Sequence, residues 1–326
     1  MHGGAWNIPA PLRDAHIQGV RKAYRIAHEA LASGMAPLRA VVEVLKSLED
    51  DPTFDAGTGS FLNEDGRVEL DAAVMEGADL GCGAVAAVGR FRNPSEIALA
   101  VKEKTDHVLL IAEGAERFAL AQGFETVEPR SLVHPREFEG YEAWVRAGKP
   151  DPRRWFDEEG RAGAETGAEG AAQEGSGPPA EGAGAPTEQH KRGTVGVVIG
   201  VRKEDESGYR LFSGISTGGT RGKMAGRVGD VPLIGCGIYA DDETAAVCCT
   251  GWGEAFVRTV AAKSVAERIA SGAHPQEAVE AQLWQLLART GGRGGIMAVD
   301  SRGRMGAGFT TPDMAYAGPG CRRLEL

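Results

Sequence analysis

Gly193-Thr194-Val195-Gly196 follows directly on DEEGRAGAETGAEGAAQEGSGPPAEGAGAPTEQHKR, the stretch from Asp157 to Arg192, and no other junction in the chain is as informative. The stretch has almost no branched or aromatic side chains. It cannot bury enough apolar area to offset its ordering entropy, so it is expected to be disordered. A structureless segment of that length is improbable inside a compact domain, which leaves a linker, a lid, or the loose end of a chain that is cut. The third option gives Thr194 a special position. A threonine that opens a strand just after a cuttable segment can become an N-terminal nucleophile, because the new α-amine lies beside the hydroxyl it deprotonates. An α-amine with a pKa of about 7.7–8.0 is a serviceable base at neutral pH.

Outward from that junction, apolar residues recur at helical spacing in Pro11–Ser33, Pro37–Leu48, Pro94–Lys104, Glu113–Gln122, Gly253–Ile269 and Pro275–Arg289. Strand patterns occupy Arg67–Val74, Gly81–Val88, His107–Ala112, Val195–Val201, Tyr209–Ser213 and Thr244–Thr250. A final hairpin pairs Gly295–Asp300 with Met305–Thr310 around Ser301-Arg302-Gly303. Strands cluster and helices cluster, without strict βαβα alternation. That order predicts an α+β protein of antiparallel sheets with helices stacked outside.

Composition narrows the function. The 326 residues carry Lys+Arg 36 against Asp+Glu 46, a formal charge of −10, with only 6% aromatics, so neither a phosphate-binding surface nor a base-stacking platform is expected. No apolar run approaches the roughly 20 residues needed to cross a bilayer, and no export signal is evident, so a cytoplasmic, membrane-free protein is expected. The five cysteines are odd in number and lack CxxC spacing, which fits small buried residues better than disulfides or zinc. Glycine, 47 of 326, is about twice its usual share of roughly 7%, so many backbone positions must be tight or closely approached.

Several motifs fail on inspection. Gly81-Cys82-Gly83-Ala84-Val85-Ala86 and Gly235-Cys236-Gly237-Ile238-Tyr239-Ala240 match G-x-G-x-x-A, but neither sits at a strand-to-helix turn followed by the acidic residue a dinucleotide site needs. Thr217-Gly218-Gly219-Thr220-Arg221-Gly222-Lys223-Met224 has the wrong spacing for a phosphate loop. Only His274 lies beyond the linker, before a proline at a helix start, so no Ser/His/Asp triad assembles by spacing. An N-terminal threonine removes the need for a histidine base.

Eight segments appear together and in order: His2-Gly3-Gly4-Ala5, Leu48–Gly57, Asp71-Ala72-Ala73-Val74-Met75, Gly193-Thr194-Val195-Gly196, Ser216-Thr217-Gly218-Gly219, Gly226-Arg227-Val228-Gly229-Asp230, Tyr239-Ala240-Asp241-Asp242 and Thr250-Gly251. They span nearly the whole chain. With them the sequence resembles the plant-type (type 2) asparaginase and isoaspartyl peptidase family of N-terminal nucleophile hydrolases. The resemblance implies one domain with a four-layer αββα sandwich of two mainly antiparallel sheets, autocleaved at Gly193–Thr194. An α chain of residues 1–193, tailed by 157–192, would then pair with a β chain of residues 194–326. Two such pairs would form a dimer.

By that resemblance, Thr194 is the nucleophile, Thr217 tunes its hydroxyl, and Thr250 with the Gly251 N–H forms the oxyanion hole. Arg227 and Asp230 would answer the α-carboxylate and α-ammonium of a β-aspartyl substrate, a guanidinium fork for one and a carboxylate for the other. Leu48–Thr58 resembles a sodium-binding stabilisation loop, with backbone carbonyls of Leu48, Glu49, Asp51, Phe54, Ala56 and Thr58 as ligands; no cofactor is expected for catalysis. The expected substrate is small, L-asparagine or a β-aspartyl dipeptide, with release of L-aspartate. Bulky Trp252 would restrict the leaving-group side.

Three features depart from the family pattern. Asp55 replaces the usual Asn near the site, and an ionised carboxylate accepts but cannot donate. Met1 abuts His2, where relatives carry a strand, so either an edge strand is shortened or the start lies upstream. The charged turn from Arg202 to Ser207 lengthens the Thr194–Thr217 spacing as a hairpin insertion. The alternatives are a glycosylasparaginase-like hydrolase, or a catalytically impaired homologue that serves as a binding protein.

Overall fold

The structure, a computed structural model, describes residues 1–149, 193–318 and 320–324. The first part of the chain runs His2–Trp6 (β1), Ala10–Ala32 (α1), Pro37–Glu49 (α2), Leu70–Glu76 (β2), Cys82–Val88 (β3), Pro94–Lys104 (α3), Leu109–Ile111 (β4), Ala112–Ala121 (α4) and Pro135–Arg146 (α5). The second runs Val195–Arg202 (β5), Tyr209–Thr217 (β6), Ile238–Ala240 (β7), Ala245–Gly251 (β8), Gly253–Thr259 (α6), Ala261–Ala270 (α7), Pro275–Thr290 (α8), Gly294–Asp300 (β9), Met305–Phe309 (β10), Asp313–Tyr316 (β11) and Arg322–Arg323 (β12). The expected disorder of 157–192 lies outside the described residues.

Two sheets pack face to face between helical layers, as the sandwich expectation required. The larger has the order β11-β1-β5-β6-β2-β3-β4 and the smaller β12-β10-β9-β8-β7. Pairing is antiparallel except for β3 with β4 and β10 with β12. Helices α2 and α3 cover the outer face of the large sheet, with α1 against α2; α7 and α8 cover the small one.

The helix at α2 forms because Pro37 presets the first turn and Leu38, Val41, Val42, Leu45 and Leu48 fall on one stripe, all buried against the sheet. Each such side chain contributes about 1.5–3 kcal/mol on burial. Between the sheets the lining is short: Ala73, Ala84, Ala246 and Cys248, all buried. That layer accounts for much of the small-residue excess. Cys248 and Cys249 are buried and no disulfide forms among the described cysteines, in line with the small-residue reading.

Three sequence expectations change in detail. The Gly253–Ile269 helix is two helices, broken at Val260, which adopts a left-handed φ of 46° that a β-branched side chain resists. The first strand is internal, since β1 lies between β11 and β5. The hairpin insertion sits at the β5–β6 tip and leaves the ladder continuous from Val195↔Ser216 to Arg202↔Tyr209. Both G-x-G-x-x-A matches lead into strands, β3 and β7, and His274 caps α8 through a capping box with Glu277.

Candidate active site

The β5–β6 register creates the site. Because Val195 pairs with Ser216, the residue before one strand meets the residue that ends the other, and the Thr194 hydroxyl donates to Thr217 Oγ1 at 3.2 Å. Thr217 Oγ1 also accepts the Gly219 N–H at 3.0 Å. Thr194 itself is 8% exposed, so its hydroxyl is reached only through a small opening. The carbonyl of Thr194 accepts from His2 Nδ1 at 3.1 Å, and burial lowers the His2 pKa to about 3, so the ring is neutral. His2 therefore orients the peptide rather than acting as an acid.

The small sheet contributes from the opposite side. Thr250 Oγ1 accepts the Ala5 N–H at 3.2 Å and lies 3.3 Å from the point a Cβ on Gly193 would occupy. Its own proton stays free to donate. Gly4 closes the same space: at φ +102° it faces Gly193, whose carbonyl oxygen would sit 2.9 Å from a Cβ there. Only glycine meets both demands. Gly251 follows Thr250 at the end of β8, so hydroxyl and N–H stand on adjacent residues.

Arg227 and Asp230 converge on Gly253, three residues beyond Thr250. A Cβ there would lie 2.8 Å from Asp230 Oδ1 and 3.0 Å from Arg227 Nη2. The guanidinium fork does not face open space. It pairs with Glu254 through Nε at 2.9 Å and Nη2 at 2.8 Å. Asp230 is buried with Oδ2 unpartnered, and burial pushes its pKa up to about 7 against the pull of its own backbone N–H and Arg227.

Asp55 is adjacent rather than central. Its backbone carbonyl accepts the Gly218 N–H at 3.0 Å, Oδ1 accepts the Phe61 N–H at 3.0 Å, and Oδ2 is buried without a partner. Burial holds its pKa well above the usual carboxylate range. A neutral carboxyl carries one O–H, so Asp55 regains the donor that an amide would supply. Sequence reasoning assigned no role to Asp71, Lys223, His2 or Glu254. Asp71 pairs with Thr217 across β2 and β6, and Lys223 is buried with Nζ donating to the Glu69 carbonyl at 2.8 Å. A lysine so enclosed cannot serve a phosphate loop. His2, Asp71 and Lys223 lie in quoted segments whose spacing did not show what each side chain would touch, and Glu254 lies outside them.

In the Leu48–Thr58 loop, the Glu49 carboxylate turns away to the Ser95 N–H and hydroxyl, at 3.2 and 2.9 Å. The carbonyls of Pro52 and Phe54 approach Gly59, 2.7 and 2.9 Å from where a Cβ would sit, and that of Pro52 accepts from Arg136 Nη2 at 2.9 Å. The Glu49 and Asp51 carbonyls accept the Thr58 and Phe54 N–H groups at 2.7 and 3.1 Å.

The family model Asparaginase_2, described as asparaginase, matches residues 1–320. The chain belongs to this asparaginase family. Among its relatives, an isoaspartyl peptidase/L-asparaginase of Xenopus laevis is 37% identical over 97% of this chain and 90% of its own. A plant-type L-asparaginase of Pyrococcus abyssi is 38% identical over 97% of this chain and 94% of its own. An isoaspartyl peptidase of Salmonella typhimurium is 36% identical over 98% and 95%. For this asparaginase-family chain, no described helix is long and apolar enough to cross a membrane.

Proposed function

We propose that the protein is an autoprocessing threonine amidohydrolase that cleaves the side-chain amide of L-asparagine and of β-aspartyl dipeptides, releasing L-aspartate. The observation that carries this is the Thr194 hydroxyl bonded to Thr217 with the Thr250 hydroxyl beside Gly193, at a bond whose cleavage would free an amine beside a buried hydroxyl. In the precursor, the Thr194 hydroxyl attacks the Gly193 carbonyl and the resulting ester is hydrolysed. In the mature enzyme the freed amine takes the hydroxyl proton as Oγ attacks the substrate amide. Negative charge then develops on the former carbonyl oxygen, and the Thr250 hydroxyl and Gly251 N–H would receive it. The proton passes to the departing ammonia or amine, and water releases L-aspartate from Thr194.

Turnover of L-asparagine, a β-aspartyl dipeptide and N-acetylglucosaminyl-asparagine by the processed chain tests the reading. Cleavage of the third alone would favour a glycosylasparaginase, and an intact chain inert on all three would favour a binding protein.

Arg227 and Asp230 are proposed to hold the α-carboxylate and α-ammonium. Asp230 must be anionic for that, and burial places its pKa at about 7. The carboxylate is lost as pH falls through that value, so the affinity for L-aspartate should be flat above pH 7 and weaken about tenfold per pH unit below it. Calorimetric titration across pH 5–9 (about two units either side) reads this directly. A pH-independent affinity would remove Asp230 from the ammonium site.

The Leu48–Thr58 loop is proposed to hold a structural sodium by backbone carbonyls, a role that stabilises without entering the chemistry. Replacing sodium by a large organic cation should then lower Tm by about 1–2 °C, what a loss of about 1 kcal/mol gives for a chain of this length. An unchanged Tm would argue against the site. Assembly as a dimer of cleaved pairs extends the same family reading, and light scattering measures it.

A further inference from the structure

The anchor proposed for the α-carboxylate is already engaged by a carboxylate of the protein. Glu254 takes Arg227 Nε and Nη2 as a two-point pair, leaving Nη1 and one hydrogen on Nη2 for anything else. The Trp252 indole is close enough to Glu254 to help lower its pKa. Burial pushes the Glu254 pKa up, but the Arg227 fork and Trp252 outweigh it, and the group is held below the usual range. Its side chain is 44% exposed, whereas that of Arg227 is 16% exposed.

On the other side of Arg227 lies Asp230, and both face the space where Gly253 has no side chain, Asp230 Oδ1 2.8 Å and Arg227 Nη2 3.0 Å from the point a Cβ there would occupy. Asp230 keeps one oxygen unpartnered although a guanidinium is its neighbour. Left alone, a buried arginine and a buried carboxylate at this range would close on each other, since the pair gains charge-assisted hydrogen bonds that neither has otherwise. A substrate zwitterion needs the opposite, a cation and an anion held apart by the width of one α-carbon.

We infer that Glu254 is a positioning residue that holds Arg227 off Asp230 and so keeps the zwitterion-binding gap open. The inference rests on the asparaginase reading of this site and adds a specificity device to it.

Glu254→Gln keeps the shape and removes the charge that competes for Arg227. The guanidinium is then free to pair with Asp230. The charged groups facing Asp230 are Arg227, Glu254 and Asp71, with the thiols of Cys236 and Cys249 close by. Only the Arg227 contact becomes direct in the variant. The Kd for L-aspartate should rise roughly tenfold or more, the size of one lost charge-assisted contact. The pH at which affinity breaks should move at least about one pH unit lower, because a guanidinium in contact favours the anion. Autocleavage and kcat should change little, and Glu254→Asp should restore part of the affinity.

An unchanged Kd, a break that stays where it was, or a kcat that falls as far as the affinity would each overturn the inference. Wild-type turnover of L-asparagine decides the activity reading separately. Binding of L-aspartate needs no turnover, so the Glu254 comparison is decided whichever way that test goes.

Discussion

Thr194→Ala should yield a chain that stays whole at 34.2 kDa on a denaturing gel and shows no turnover of asparagine or β-aspartyl dipeptides. In the proposed mechanism one side chain supplies the attacking oxygen for both events, and the same residue supplies the base once cut. Removing the nucleophile of a hydrolase that works through a covalent intermediate costs on the order of 10⁶ in kcat. Packing loss is small by comparison, since the deleted atoms are one hydroxyl and one methyl. Thr194→Ser keeps the oxygen and should keep processing. Mass spectrometry checks the cleavage: a fragment that begins at residue 194 from the Ala variant, or full activity in uncut wild-type material, would end the mechanism.

Arg227→Ala should separate the two events. Its guanidinium touches Glu254 and stands beside Asp230, and no hydrogen bond joins it to Gly193, Thr194 or Thr217 among the described residues. Processing should therefore proceed. Substrate capture should fail, because the variant leaves Glu254 and Asp230 as two acids facing an α-carboxylate with no cation between them. Truncating one partner of a partly buried charge pair costs about 2–5 kcal/mol, so kcat/KM should fall roughly 10²- to 10³-fold or more. Burial of the remaining acids adds to the loss. Steady-state kinetics on the cleaved variant, beside a time course of cleavage, tests both halves. Loss of processing in this variant would contradict the division of roles.

Neither prediction needed coordinates for its residue names. Thr194 and Arg227 were legible because chemistry that needs a freed amine or a fixed guanidinium must place them at recognisable junctions. The helices α2 and α8 were equally legible, from Pro37 and Pro275 at their starts and from apolar stripes that follow. The break at Val260 was not. It depends on a left-handed residue that propensity disfavours and tertiary packing imposes. Nor could spacing reveal that β1 is internal, because five residues of HGGAW carry no mark of having neighbours on both sides.

The state of Asp55 is the same kind of case. As a letter it is an acceptor where a donor is wanted; burial beside Gly218 and Phe61 raises its pKa well above the usual range, toward the protonated form that carries an O–H. Lys223 reads as the tail of a phosphate loop until its Nζ is found against the Glu69 carbonyl. Arg227 reads as a free fork until Glu254 is found holding it.

From its amino acids alone, this chain shows the family's segments in order and, through that resemblance, the proposed cut at Gly193–Thr194, the proposed nucleophile Thr194 and the proposed zwitterion pair Arg227 and Asp230. Those readings are local, since a bond, a nucleophile and a charge are properties of single residues in short contexts. Tertiary structure decided which charges are paired, which are neutral and how far apart they are held. Pairing and protonation depend on burial and on neighbours distant in sequence, and a packed interior sets both.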